Sequence, residues 1–499
     1  MTRRALVLLC LVILWPQLAG AASVPVTIFY TSDAHGHIIS NADTIGLDTV
    51  AALRRSVPGS VLVDAGDFLH GSLPADIDEG ASVVALMRQA GYFAVALGNH
   101  EFSFGLNVLQ TRLAETAAPP GTMHMLSANT FTNGALLCPA TAEIVVNDVR
   151  VCFLGLTTPK TKVLTAPGNV AGISFEDPLI HARTAATNAR ANGCDIVVAL
   201  THLGRGKESS VSSTNIAEQT PGVDVVIDGH DHTELSHTPP GGVPVFSPKA
   251  HGKSVGKLVV EFDTVTRKIT SIRNVFLYPE NVTGLTPDAS LRTSLAALQN
   301  KLDTHMLTPV AELSVTLPGN REILRTNGTP LGNLVADAVR EATGADIALI
   351  NAGSIREGLP AGMVREKDLA TALPFKSKAL VFSLTGEELL AVLEHGFSAL
   401  PEASGVFPQV SGIMVEIALN ATSEKRIHRA LVGGKELRLS QSYRVAVNDF
   451  MAAGGDGYPV LPQKIALTPG TDVREAVAAH LRRSAVIPKE ARILIKAAP

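Results

Sequence analysis

Five short segments in the N-terminal half end in residues that can bind divalent metals or protonate a leaving group: Asp33-Ala34-His35, Gly66-Asp67, Asn99-His100, His202 and His230-Asp231-His232. Imidazole nitrogens mixed with carboxylate and amide oxygens suit Zn, Mn, Fe or Co rather than Ca, whose sites are oxygen-only. The two oxygens of the Asp67 carboxylate suit it to bridging a pair of cations, and Asn99 offers a neutral carbonyl oxygen. Two cations about 3.5 to 4 Å apart polarise a phosphoryl group and lower the pKa of a bound water enough to yield hydroxide near neutral pH. The chemistry expected is therefore phosphoester hydrolysis by in-line attack. His100 stands apart, because Asn99 already takes that turn's metal position. Its imidazole is left to neutralise charge on the phosphoryl oxygens or to help the leaving alkoxide.

Singly these fragments are weak, since Asp-x-His arises by chance and Gly-Asp is a common turn. Their placement gives them weight. From Val24 to about Pro279, β-branched runs alternate with helical stretches, and VTIFYTSD, SVLVDAGD, AVALGNHE, IVVALTHLG and VVIDGHDH each end in a polar cluster. An α/β sheet builds a site in this way, with ligands on loops just beyond the strand ends. Asp33 and His35 lie two apart at the end of an extended run, so the strand period of two predicts both side chains on one face, and His230 and His232 repeat the device. KLVVEFD and SIRNVFLYP are expected to close a second sheet. His37 and His70 are read as structural.

The chain has 499 residues, more than one hydrophobic core usually serves, so two domains are expected. Thr286-Pro287-Asp288 reads as a helix start, and Leu291, Leu295, Leu298 and Leu302 recur at helical spacing, which suggests a linker helix over 286–308. Beyond Thr308 the alternation resumes through ADIALINAGSIR, LVFSLTGEELLAVLEHG, GIMVEI and YRVAVNDF, a second α/β domain over 309–499. With 42 Lys+Arg against 46 Asp+Glu there is no basic face to track a nucleic-acid polymer, so a nucleotide partner would be a small molecule.

Residues 1–21 have a basic start, an apolar run too short to span a bilayer and a small-residue cleavage site. This is the pattern of a secretory signal peptide, so the protein is expected to be secreted, into a periplasm. RILIKAAP at the other end has no hydrophobic tail, so no membrane anchor is expected there. An oxidising compartment permits a disulfide, and Cys138 with Cys152, flanking a hairpin-like stretch, is the expected pair, with Cys194 left over.

At DAHG from Asp33, GDFLHG from Gly66, GNHEFSFG from Gly98, THLG from Thr201 and GHDH from Gly229, the chain resembles the 5'-nucleotidase family. The resemblance implies a four-layer α/β/β/α calcineurin-like metallophosphatase sandwich over 22–285, the linker helix, and a C-terminal α/β nucleotide-binding domain. It also implies two divalent metal ions, one held by Asp33, His35, Asp67 and His232 and the other by Asp67, Asn99, His202 and His230. One departure matters. The family usually has Asp three residues after the catalytic His, where this chain has Ser103. A hydroxyl can orient the imidazole but brings no charge to stabilise its protonated form.

In the second domain, Arg325 and Arg356 offer guanidinium groups for phosphate oxygens, Phe375 and Phe450 aromatic faces for a base, Asn351 an amide, and Asp456 a carboxylate for sugar hydroxyls. From the residues alone, the two Phe could equally be core and the two Arg solvated ion pairs. The resemblance selects the first reading, with Asn351 as a polar contact, the Phe pair stacking on the base, and Asp456 as ribose acceptor. It further implies domain rotation about the linker helix. The activity implied is release of phosphate from nucleoside monophosphates. The alternatives are a 2',3'-cyclic-nucleotide phosphodiesterase, a UDP-sugar hydrolase and, in another class, a secreted nucleotide-binding protein without catalysis.

Overall fold

Residues 23–117, 122–165, 167–205, 211–375, 377–419, 426–458, 461, 464–468 and 470–496 are described by a computed structural model. The expected signal peptide lies outside the described residues. The chain divides into two units, 1–298 and 299–499.

In the first unit, Ser23–Thr31, Val61–Asp64, Ala94–Ala96 and His124–Leu126 pair in parallel, each beside the next. Val255–Asp263 joins the free edge of Ser23–Thr31 antiparallel, and Lys268–Leu277 follows it. These last two strands therefore lengthen the first sheet and do not close a second. The cause is their inward face: Leu258, Val260 and Phe262 continue the apolar surface of Val26, Ile28 and Tyr30. The second sheet runs Leu235–His237, Val245–Ser247, Val225–Asp228, Ile196–His202, Val149–Thr157, Thr141–Val146.

Strand alternation sorts the side chains between two cores. Val61, Val63, Val151, Phe153, Ile196 and Val198 meet between the sheets, whereas Cys152, Leu154, Val197 and Ala199 face away, under Ala182, Ala185, Ala186 and Ala189 of the helix Pro178–Ala191. Helices Leu47–Ser56 and Ala81–Ala90 bury Val50, Leu53, Val83 and Met87 on the first sheet's side. The result is the four-layer helix, sheet, sheet, helix sandwich.

The disulfide joins Cys152 to Cys194, and Cys138 is a buried free thiol. The expected Cys138–Cys152 pair is thus corrected. Parallel pairing sets Val151 opposite Ile196, so the chain entering that strand brings Cys194 beside Cys152. The inter-domain helix spans Ala289–Met306 and starts later than its sequence suggests, because the Asp288 carboxylate accepts from Leu291 N–H and caps it. Leu291, Leu295, Leu298 and Leu302 are buried as their spacing requires.

The second unit is built on a five-stranded sheet, Pro408–Ser411, Ile347–Asn351, Ser442–Asn448, Lys378–Thr385, Thr471–Asp472, beside a four-stranded sheet containing Ile413–Ala418. Ile347–Asn351 and Ser442–Asn448 run parallel as neighbours, so Asn351 and Asn448 emerge side by side at their carboxyl ends. Arg492 clamps both Asp337 oxygens at 2.7 and 2.8 Å. Burial raises the Asp337 pKa, but the hydrogen bonds from Arg492 and Ser411 hold it below the usual carboxylate range. A depressed folded pKa gives stability that is complete above the unfolded value and lost as pH falls through the folded one. Arg492→Met is therefore expected to flatten the acid limb of stability, measured by denaturant unfolding between about pH 6 and about pH 2.

Candidate active site

The seven expected metal ligands converge at the carboxyl ends of the parallel strands, although not by the route their spacing suggests. The first strand stops at Thr31, and Asp33 and His35 lie beyond it with φ of 50° and 46°. His230 and His232, past the strand Val225–Asp228, have φ of 88° and 56°, and Asp67 has 61°. Left-handed backbone at five non-glycine residues costs energy that the surrounding bonds must offset. Asp33 N–H donates to Gly66 C=O at 2.8 Å and His35 N–H to Asp67 C=O at 2.9 Å, locking the first two loops together. The loops pass so close that a Cβ on Gly98 would strike the Asp67 carboxylate and its amide.

Asp67 sits at the centre. Its Oδ2 is 3.0 Å from His202 Nε2 and 3.8 Å from His35 Nε2, while its Oδ1 accepts the His100 N–H at 2.7 Å. On one side, His35 Nε2 lies 3.0 Å from His232 Nε2, which is 3.6 Å from Asp33 Oδ1. On the other, His230 Nδ1 lies 3.1 Å from Asn99 Oδ1. Donor atoms of Asp67, His202 and His230 fall within 4.8 Å of one another, as do those of His35, Asp67 and His100. All seven are buried or nearly so except His232, whose side chain is 43 % exposed.

The tautomers fit a metal. His202 Nδ1 donates to Ala65 C=O at 2.8 Å and His35 Nδ1 to His70 C=O at 2.9 Å, so each ring turns its Nε2 inward. His202 Nε2 is fully buried, and the atom it faces is the Asp67 carboxylate oxygen at 3.0 Å. Burial holds His35 and His230 down to about 4, so both are neutral at pH 7, the form a cation requires. Burial also lowers His202, but the Asp67 and then the Asp33 carboxylates carry it well above its ordinary value. Two acidic groups thus converge on one buried imidazole. Carboxylate, amide and imidazole donors in this set suit a divalent transition metal.

The six residues expected to hold substrate line one cavity of about 430 Å³ in the second unit, together with Ser354, Ser377, Gly405 and Asn448. Phe375 and Phe450 are 47 % and 49 % exposed, so neither is core. The Arg356 guanidinium stands over the Phe375 ring at 5.1 Å, and Asn351 donates to Asp456 Oδ2 at 2.8 Å. Desolvation lowers the Arg325 pKa.

Residues 26–234 match the model of the calcineurin-like phosphoesterase family, and residues 309–463 that of the 5'-nucleotidase C-terminal domain. A solved 5'-nucleotidase precursor from Thermus thermophilus is 30% identical, with a TM-score of 0.59, and the alignment covers 95% of this chain and 100% of that one. The chain belongs to the 5'-nucleotidase family. It is a phosphoric ester hydrolase of the calcineurin-like metallophosphoesterase kind. Further 5'-nucleotidase relatives include that of Vibrio vulnificus, 28% identical over 509 residues, covering 89% of each chain. A trifunctional nucleotide phosphoesterase of Bacillus subtilis is 30% identical over 483 residues, and this chain spans 32% of its length.

Sequence reasoning missed three residues around this 5'-nucleotidase centre. Glu101 is buried, and its carboxylate accepts four backbone N–H groups, from Asp67, Phe68, Leu69 and Gly98. Its place in GNHE was a usable signal. His251 packs against His35, His37 and His232, and its N–H donates to Asp33 C=O at 2.9 Å. His70, read as structural, lies beside His100. Ser103 Oγ is 3.4 Å from His100 Nδ1, at the outer limit of a hydrogen bond.

Proposed function

We propose that this protein is a 5'-nucleotidase that cleaves nucleoside monophosphates to nucleoside and phosphate. Two divalent ions would be held by Asp33, His35, Asp67 and His232 and by Asp67, Asn99, His202 and His230, with Zn, Mn, Co and Fe as the candidates. The observation that carries this reading is the buried Nε2 of His202, turned onto the Asp67 carboxylate at 3.0 Å with Asp33 beyond it at 3.9 Å. Bound there, the cations supply Lewis acidity toward phosphoryl oxygens and an activated water. His100, fixed through its N–H to Asp67, donates a proton or hydrogen bond to the phosphoryl group or the leaving oxygen. Arg325 and Arg356 would bind phosphate oxygens, Phe375 and Phe450 the base, Asn351 a polar edge and Asp456 the ribose hydroxyls. The domains would run 22–285 and 309–499 about the linker helix.

The signal-peptide pattern of residues 1–21 and the Cys152–Cys194 disulfide both favour an oxidising, exported location such as a periplasm. No helix among the described residues is long and apolar enough to cross a membrane. The substrate is a small nucleotide.

Assaying AMP, UDP-glucose and the cyclic AMP isomers, with chelator and after adding Mn or Co, tests the assignment. AMP turnover that vanishes with chelator and returns with metal is expected. Preference for a 2',3'-cyclic nucleotide or UDP-glucose would move the substrate class, and nucleotide binding without turnover under any metal would make the protein a receptor. For the pocket, Phe375→Ala and Phe450→Ala are each expected to raise KM for AMP about tenfold, since a base–aromatic stack contributes about 1–3 kcal/mol. Turnover of p-nitrophenyl phosphate, which has no base, should stay at the wild-type level; an unchanged KM for AMP would remove the base from that cavity.

A further inference from the structure

His100 and His70 form a pair that neither the metal centre nor the Ser103 departure explains. Their Nδ1 atoms are 2.9 Å apart, the ring planes differ by 9°, and the centroids are 5.1 Å apart. Nearly parallel planes with distant centroids and touching nitrogens mean that the rings lie edge to edge, the geometry of an in-plane N–H···N hydrogen bond. One nitrogen must donate and the other accept. A ring nitrogen of His100 also falls within 4.8 Å of the His35 and Asp67 donor atoms. To act on a phosphoryl or leaving oxygen, His100 has to turn Nε2 toward the centre and keep its Nδ1–H satisfied behind. His70 Nδ1 is the acceptor in place to do that, and Ser103 Oγ, at 3.4 Å, is the weaker contact.

We propose that His70 is the positioning residue for His100, taking over the orienting role that the family's Asp would fill at position 103. The inference rests on the reading of His100 as the group that acts on the phosphoryl oxygens. His70 suits the task because the surrounding contacts fix it. The Phe104 ring stands edge-on to it at 5.2 Å, and its own carbonyl accepts from the metal ligand His35. One residue thereby ties the acid to the metal loop, through its ring on one side and its backbone on the other. A neutral imidazole acceptor can hold a protonated His100 but brings no negative charge to it. That is the same limitation seen with a hydroxyl, met here with better geometry.

The test compares His70→Leu, His70→Gln, and His70→Leu combined with Ser103→Asp in metal-loaded protein, with His100→Gln in parallel. Loss of an outer orienting partner commonly costs about 10–100-fold. His70→Leu is expected to lower kcat by that factor while KM for AMP and bound metal per chain stay at wild-type values, because the His35 contact uses the backbone carbonyl. His70→Gln, which keeps an acceptor, should retain most of kcat. Adding Ser103→Asp to His70→Leu should recover most of what was lost. Three results would each overturn the inference: wild-type kcat in His70→Leu, a loss that persists both in His70→Gln and after adding Ser103→Asp, or a loss that follows bound metal. If His100→Gln retains turnover, the role given to His100 falls first and the inference falls with it.

Discussion

Asp67→Asn is expected to lower kcat by about 10³-fold or more and to reduce bound metal below two per chain. The carboxylate has three demands on it at once: Oδ1 takes the His100 N–H at 2.7 Å, and Oδ2 faces His202 at 3.0 Å and His35 at 3.8 Å. An amide cannot meet them. Turned one way it presents NH₂ to the His100 N–H, donor against donor; turned the other it presents NH₂ to the cations. It also removes a negative charge that the surrounding imidazoles favour: burial raises the Asp67 pKa, but His202 first holds this carboxyl below its ordinary range. Losing several kcal/mol of charge stabilisation in the transition state corresponds to about a thousandfold in rate. Elemental analysis of the purified variant alongside its kcat decides the matter, and two metals per chain with kcat within tenfold of wild type would mean Asp67 is no bridge.

Glu101→Ala should be nearly as severe, through the scaffold. Four N–H groups, from Asp67, Phe68 and Leu69 on one loop and Gly98 on the other, converge on this one carboxylate at 2.6 to 3.1 Å. Burial first, and then the Asp67 charge, push its pKa up to about 7, yet the N–H donors favour the ionised form. With alanine those donors are orphaned in a dry interior. A hydrogen bond to a charged group is worth about 1.5–3 kcal/mol, and the four are not additive, so about 3–5 kcal/mol of the first unit's stability should go. The left-handed turn at Asp67 loses its restraint in the same step. Chemical denaturation and metal titration check this together: wild-type stability with full metal affinity would leave Glu101 a bystander.

These two cases mark what could be read from the chain and what could not. Asp67 was legible because a carboxylate after an apolar strand and a glycine has a recognisable chemistry. Glu101 lies two residues from an expected ligand, yet three of its four partners are backbone groups on a loop more than thirty positions away, which no local pattern reveals. The strand period expected to place Asp33 and His35 on one face does not apply beyond Thr31: the two are brought together by left-handed loop backbone that the Gly66 and Asp67 carbonyls hold. The strand pair 255–277 joins the first sheet and not a second, since an apolar alternating pattern specifies a face and not a neighbour. The Phe pair was ambiguous until exposure was known.

By itself the sequence determined which donors exist, in what order, and that each follows a strand, because ligand chemistry and strand pattern are local properties. Only the tertiary structure decided which of them meet. Parallel pairing carries Asp33, Asp67, Asn99, His202 and His230 to one end of the sandwich from positions scattered along half the chain. It also sets Cys152 beside Cys194 and His70 beside His100. Such register is fixed by long-range packing, and spacing along the chain contains no record of it.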